Sequence, residues 1–318
     1  MPIERVPIES RTDWLAMRSG FIGASEVSTV CGEGGYASAA VLFAEKKGLR
    51  PPQQDTGPMR RGRWLETGTL DALLEDHPDW QIKRAKVHVR DTELRLACTP
   101  DAFATRPDRD GFGIVQCKAV SRMAFRQKWL DDPQSRIDSG DATPPAPYRL
   151  QTLTEEMLNE CPWGALAVLV VGEHDCDFRL FDVERNAALE DRIRYCVSEF
   201  WHTYLDLNIM PPLDFERDAE LVKELYPRDD GTIIDLRSNN RALAAVDELI
   251  ETQAACKRMQ RQESALKTEL TALLAEHTFG ELADGRCLSW KTQHRKAYAV
   301  EASDFRVLRI LKAKPEDE

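Results

Sequence analysis

Basic residues are in deficit: 43 Lys and Arg stand against 54 Asp and Glu, a formal net charge of −11 over 318 residues. A simple polyanion binder carries a positive footprint, so this balance weighs against one. The basic charge comes in local groups: Arg60, Arg61 and Arg63; Lys83, Arg84 and Lys86; Arg122, Arg126 and Lys128; Lys291, Arg295 and Lys296. Each reads as a solvated face at least as well as a binding track. No apolar run is long enough for a membrane-spanning helix, and the opening MPIERVPIESRTDW has no apolar signal segment. A cytoplasmic protein with no membrane partner is the expectation. The eight cysteines form no C-x-x-C pair and no zinc-like cluster, so reduced, mostly buried thiols are expected. The six histidines are scattered without ligand spacing. G-x-x-x-x-G-K-[ST] is absent, which removes an ATP motor of the Walker type, and no internal repeat is found.

What is there suits one large domain with an appendage. A hydrophobic share of 42% supports a core. Thr12 or Asp13 is a candidate cap for a short helix ending at Gly20, and Ser38 for one ending at Gly48. After the loop PPQQDTGP (51–58), a helix is expected from about Met59 to Asp76. Residues 82–120 read as a three-stranded meander of IKRAKVHVR, LRLACTPDAFA and FGIVQCKAV, with a turn at 106–111. A loop at 131–147, a helix from Tyr148 to Asn159, two strands and a helix from Asn186 to Leu207 follow. The expected architecture is α/β (α+β), a mixed central sheet flanked by helices. The domain is placed at 1–210 and a C-terminal helical arm at 211–318. Within the arm, 239–277 is one helix or two, and a terminal β-hairpin turns at Asp284-Gly285.

One constellation carries chemistry. Glu66 precedes Leu70, Leu73 and Leu74 by four, seven and eight residues, which puts a carboxylate on the apolar stripe of its helix. Such a group either snorkels at the stripe's edge or finds a partner, of which a cation is one. Alternation along the third strand sets Gln116 and Lys118 on one face and Val115, Cys117 and Ala119 on the other. Asp101 follows Pro100, which bends the neighbouring strand toward that pair. Phosphodiester hydrolysis needs such a set, because a hard cation held by oxygens neutralises the phosphoryl charge. Asp101 and Glu66 offer anionic oxygens; the Gln116 side chain and the Cys117 backbone carbonyl offer neutral ones. Lys118 suits orienting or deprotonating the attacking water and offsetting developing charge.

The spacing P-D-(x14)-Q-x-K resembles the PD-(D/E)XK nuclease signature, a short pattern that chance also produces. Four further segments strengthen it. MRSGFIGASEV (17–27), MRRGRWLE (59–66), CTPDAF (98–103) and YRLQTLTEEML (148–158) resemble, in order and spacing, the motifs of the YqaJ-like viral recombinase and phage lambda exonuclease family, over roughly residues 10–205. The resemblance implies a restriction-endonuclease-like fold and Mg²⁺ as cofactor, with Mn²⁺ able to substitute. It makes Glu66 and Asp101 metal ligands, Lys118 the catalytic lysine and Gln151 a site-lining residue. It places Arg18, Ser25 and Thr99 on a DNA 5′-phosphate, which a guanidinium and hydroxyls suit. Arg18 in a surface ion pair is the plainer alternative. Met59 matches a wedge between strands at a DNA end, with core packing as its alternative, and Tyr148 is a candidate DNA contact. The implied activity is exonucleolytic, 5′→3′, on linear double-stranded DNA ends in phage-type recombination. The implied partners are a single-strand annealing protein and other copies of the chain in a trimeric ring.

The family usually has Glu where this chain has Gln116. Losing one negative charge should weaken cation binding. Three outcomes are open: a working site, as in Mrr-like restriction endonucleases that read Q-x-K; a slow enzyme needing high magnesium; or a catalytically silent DNA-end-binding module. Activity is the expectation, because Glu66, Asp101 and Lys118 all remain.

Overall fold

A computed structural model describes residues 3–50, 55–132, 142–294, 306 and 308–310. The chain divides into two compact units, Met1–Leu225 and Tyr226–Glu318. The first opens with strand β1 (Ile3–Pro7) and helix α1 (Arg11–Ser19). The α1 cap is Ser10, whose side chain accepts from Asp13 N, rather than Thr12 or Asp13. Then come the two-residue strand β2 (Ile22–Gly23), a 3₁₀ turn at Ala24–Glu26, α2 (Val27–Val30), α3 (Ala39–Lys46) and α4 (Gly57–Asp76). Ser38 caps α3 as expected, accepting from Val41 N.

The expected meander is corrected. Its first two strands each break in the middle, giving β3 (Gln81–Arg84), β4 (Val87–Asp91), β5 (Leu96–Cys98) and β6 (Ala102–Arg106) before the long β7 (Arg109–Ser121). β3 and β6 belong to a five-stranded sheet ordered β3-β6-β7-β8-β9, with β8 (Trp163–Val171) and β9 (Cys176–Glu184). β4 and β5 belong to a four-stranded sheet ordered β1-β4-β5-β2. The break has a local cause. Pro100 has no N–H for a ladder and restricts the residue before it. At the same level, Ala85 N donates to Asp101 O at 3.0 Å, where both strands leave one sheet for the other.

Both sheets are mixed: β7 and β8 pair in parallel within an otherwise antiparallel sheet, and β2 pairs in parallel with β5. α4 covers one face of the large sheet, burying Leu70 and Leu73 against Val115, Cys117, Ala165 and Ala167. Helices α5 (Arg122–Trp129), α6 (Ala146–Asn159) and α7 (Ala187–Phe200) contribute to the core on the opposite face, with Leu166, Val168 and Val170. The α5 segment was not singled out in the sequence. α6 is buried from Thr152 to Asn159 without interruption, so its polar side chains project into the interior.

Residues 211–225 stay with the first unit, although the sequence assigns them to the arm. In α8 (Ala219–Leu225), Leu221 is buried against Ala40 and Ala44, and Arg50 pairs with Glu224 at 2.9 Å. In the second unit, α9 (Asn240–Leu274) is one uninterrupted helix capped by Asn239. Strands β10 (Phe279–Glu281) and β11 (Cys287–Ser289) form the expected hairpin, with Gly285 at φ 84° in its turn. Among the described residues no helix is long and apolar enough to cross a membrane.

Candidate active site

The site forms where the strand break meets the middle of β7. Asp101, released from the ladder by Pro100, turns its carboxylate onto the neighbouring strand. Its Oδ2 accepts from Gln116 Nε2 at 2.5 Å and from Cys117 N at 2.7 Å. Burial, opposed by Lys118 and reinforced by Glu66, pushes the Asp101 carboxyl up to about 6. The Glu66 charge therefore acts on Asp101. Glu66 is half-buried on α4, one turn before Leu70. Gln116 is buried, and its Oε1 has no hydrogen-bond partner.

Lys118 Nζ donates to Gln151 Oε1 at 3.0 Å and lies 5.3 Å from the centre of the Tyr148 ring. The Tyr148 hydroxyl meets that of Tyr36 at 3.0 Å. Gln151 Nε2 donates in turn to Glu155 Oε1 at 3.0 Å. Asp101, Gln116, Lys118 and Gln151 are thus brought together, with Glu66 within electrostatic reach.

A cavity of about 170 Å³ continues from Asp101, Gln151 and Glu155 to Arg18, Ser25 and Thr99. The three residues matched to a 5′-phosphate therefore share one space with the carboxylate. Arg18 also makes the ion pair weighed as its alternative: Nη2 lies 3.2 Å from Glu26 Oε1 and 3.4 Å from Ser25 Oγ. Its guanidinium stacks on Trp14 at 4.7 Å. The turn is held by Glu26, which accepts from Gly23 N at 2.7 Å and pairs with Lys46 at 2.8 Å. Lys46 also donates to the carbonyls of Arg18 and Phe21. Met59 is exposed near the start of α4. A larger cavity of about 570 Å³, beside Cys31, Leu153 and Val183, holds none of these site residues.

The sequence did not mark Trp14, His88, Tyr36 or Glu155. Trp14 Nε1 donates to Thr99 Oγ1 at 3.1 Å, and His88 Nδ1 lies 3.2 Å from the same hydroxyl. Burial pushes the His88 ring down to about 4, so it is neutral around neutral pH. The available signal for Glu155 was its position four residues after Gln151.

Among the described residues no three His, Cys, Asp or Glu side chains converge as a ready metal cage. Two carboxylates completed by neutral oxygens nonetheless fit magnesium, which takes one or two carboxylates and keeps several waters. The unpartnered Gln116 Oε1 is an oxygen of that kind.

Residues 13–157 match the YqaJ-like viral recombinase domain. Uncharacterized protein YqaJ of Bacillus subtilis (strain 168) is 25% identical over 267 residues, covering 80% of this chain and 77% of that protein. Among solved structures, an alkaline exonuclease (LHK-Exo) from Laribacter hongkongensis aligns with a TM-score of 0.46 at 19% identity, over 66% of this chain and 99% of its own. A phage related exonuclease from Haemophilus somnus 129PT aligns with a TM-score of 0.43 at 12% identity, over 59% and 96%. The segment 13–157, which is matched by the YqaJ-like viral recombinase domain, holds the acidic residues, the lysine strand and most of α6.

Proposed function

We propose that this protein is a magnesium-dependent DNA exonuclease that degrades linear duplex from its ends, 5′→3′, in phage-type recombination. The observation that carries the proposal is the junction at Asp101, where a carboxylate, an amide and a backbone N–H meet beside Lys118 and within reach of Glu66. Asp101 and Glu66 would hold Mg²⁺ or Mn²⁺, with the Gln116 oxygen and the Cys117 carbonyl completing the set. A bound ion supplies charge neutralisation at the phosphoryl oxygens and a more acidic water.

The chain's own groups do the rest. Lys118, anchored by Gln151, orients the attacking water and offsets charge on the phosphate. Arg18, Ser25 and Thr99 bind the terminal 5′-phosphate, and the neutral His88 and the Trp14 N–H fix the Thr99 hydroxyl. Met59 precedes Glu66 by two helical turns, so it lies on the same side of α4 and can wedge a DNA end open. Tyr148 lines the approach to Lys118. A ring of three copies lets an acidic protein hold DNA by turning its basic residues to the central hole, and a single-strand annealing protein would take up the product.

The test is digestion of 5′-phosphorylated linear duplex and of covalently closed circles, each in Mg²⁺ and in Mn²⁺. Nucleotide release from linear DNA alone is expected, abolished by Asp101→Asn and by Lys118→Ala. No release from linear DNA with either metal sinks the proposal, and cutting of circles replaces it with an Mrr-like endonuclease. One observation favours a silent end-binding module: the Gln116 amide already occupies Asp101 Oδ2, where a cation would compete. That reading predicts an inactive wild type in which Gln116→Glu creates activity.

A further inference from the structure

α6 carries a row of polar side chains one turn apart, Gln151, Glu155 and Asn159, all on the helix face turned toward Asp101 and Cys98. Asn159 anchors the far end: its Nδ2 donates to the Glu155 carbonyl at 2.8 Å and to Cys98 Sγ at 3.4 Å. Arg5 Nη1 donates to Asn159 Oδ1 at 2.8 Å. Glu155 sits in the middle, 1% exposed. Its Oε1 accepts from Gln151, and its Oε2 has no hydrogen-bond partner.

Burying a carboxyl with one oxygen unsatisfied costs stability. Burial and the Asp101 charge both raise its proton affinity. A methionine or leucine would fill the same volume without that cost, so the acid is there for the site and not for packing.

The two ends of the Gln151 amide have nearly the same shape but opposite hydrogen-bonding character. Left alone, the group can present either its oxygen or its NH₂ to Lys118. The second arrangement sets donor against donor and drives the ammonium away.

We propose that Glu155 is a positioning residue of the nuclease site: by accepting from the Gln151 NH₂ it fixes the amide oxygen toward Lys118 and so holds the ammonium in place. The chain runs Lys118 Nζ to Gln151 Oε1 at 3.0 Å, then Gln151 Nε2 to Glu155 Oε1 at 3.0 Å. It rests on the nuclease reading above and adds to it a residue that acts through Gln151.

The experiment measures kcat and KM on linear duplex for Glu155→Met, Gln151→Met and the double variant, together with thermal unfolding of the metal-free proteins. Each single variant is expected to lose roughly 10- to 100-fold in kcat with KM within about twofold of wild type, the cost of a misplaced catalytic group. Because Glu155 acts only through Gln151, the double variant should be no slower than the slower single variant. Glu155→Met should unfold at or above the wild-type temperature, since a buried acid is removed.

Single variants at wild-type kcat, or a double variant whose loss is the product of the two, overturn the relay while leaving the nuclease reading intact. A lowered unfolding temperature without a kcat effect assigns Glu155 to structure and overturns it as well. Should Glu155→Met fail to fold, Gln151→Met decides by the same kcat and KM criterion. An inactive wild type overturns the nuclease reading, and the relay falls with it.

Discussion

Glu156 follows Glu155 in sequence but points a third of a turn away, and it answers to different physics. It is fully buried, and neither oxygen has a hydrogen-bond partner. It sits over Gly164, where a Cβ would come within 2.2 Å of Oε1. Burial, reinforced by Glu190 and Glu184 and opposed by Arg185, pushes its carboxyl up to about 8 from an ordinary 4.5. The folded state therefore keeps a proton that the unfolded chain has released between those two values. Its stabilising contribution is complete below about pH 4.5 and is lost as pH rises through 8. Glu156→Gln keeps the shape and removes the titration. The variant should gain thermal stability relative to wild type between pH 6 and pH 9, read as the difference in Tm at each pH. A pH-independent difference would show that the carboxyl does not titrate in the fold. At this scale the sequence was most legible where a residue type clashes with its setting, as for Glu66 on an apolar stripe or Asp101 after a proline. Glu155 was illegible because Gln and Glu four residues apart on a helix also describe an ordinary solvated pair.

The elements show a different limit. Helices with periodic apolar faces, such as α3, capped by Ser38, and α6, fall within two residues of where the pattern puts them. The first two strands of the meander do not, because alternation cannot tell one long strand from two short ones that change sheets. IKRAKVHVR and LRLACTPDAFA each read as continuous, yet Ala85 and Pro100–Asp101 divide them between two sheets. β2, only two residues long, has no alternation to read, and β1 owes its place to pairing with β4. The division is also what turns the Asp101 carboxylate onto Gln116 and Cys117, so the error and the candidate site share a cause. A glycine in β7 marks another such constraint. A Cβ on Gly113 would fall 2.2 Å from the Trp163 ring, which packs edge-on against Trp80 and under the Arg106 guanidinium. Gly113→Ala must displace that ring, and a loss of about 1–3 kcal/mol is expected from overpacking. Denaturant unfolding measures it; a loss below about 0.5 kcal/mol, the scale of an ordinary surface change, would show that the ring yields freely.

For the whole molecule, the question is which part of the chain folds and works as a unit. The change of character after PPLDF suggested a boundary at 210, since composition registers a polar, helical tail but not a single anchoring side chain. Leu221 is that anchor, buried with Ala40 and Ala44 beside the Arg50–Glu224 pair. Among the described residues, the three apolar clusters of the core draw only on residues before 226. Every candidate site residue, from Arg18 to Gln151, lies in the same unit. A chain ending at residue 225 should therefore unfold in one cooperative step near the full-length Tm and retain metal-dependent release of nucleotides from short linear duplex. A chain ending at residue 210 should be less stable, because removing Leu221 leaves an apolar cavity over α3. Thermal unfolding and nuclease assays on the two truncations decide the point. Equal stability of the two would mean that 211–225 contributes nothing to the core, and a non-cooperative 1–225 would mean that the arm is part of the folding unit.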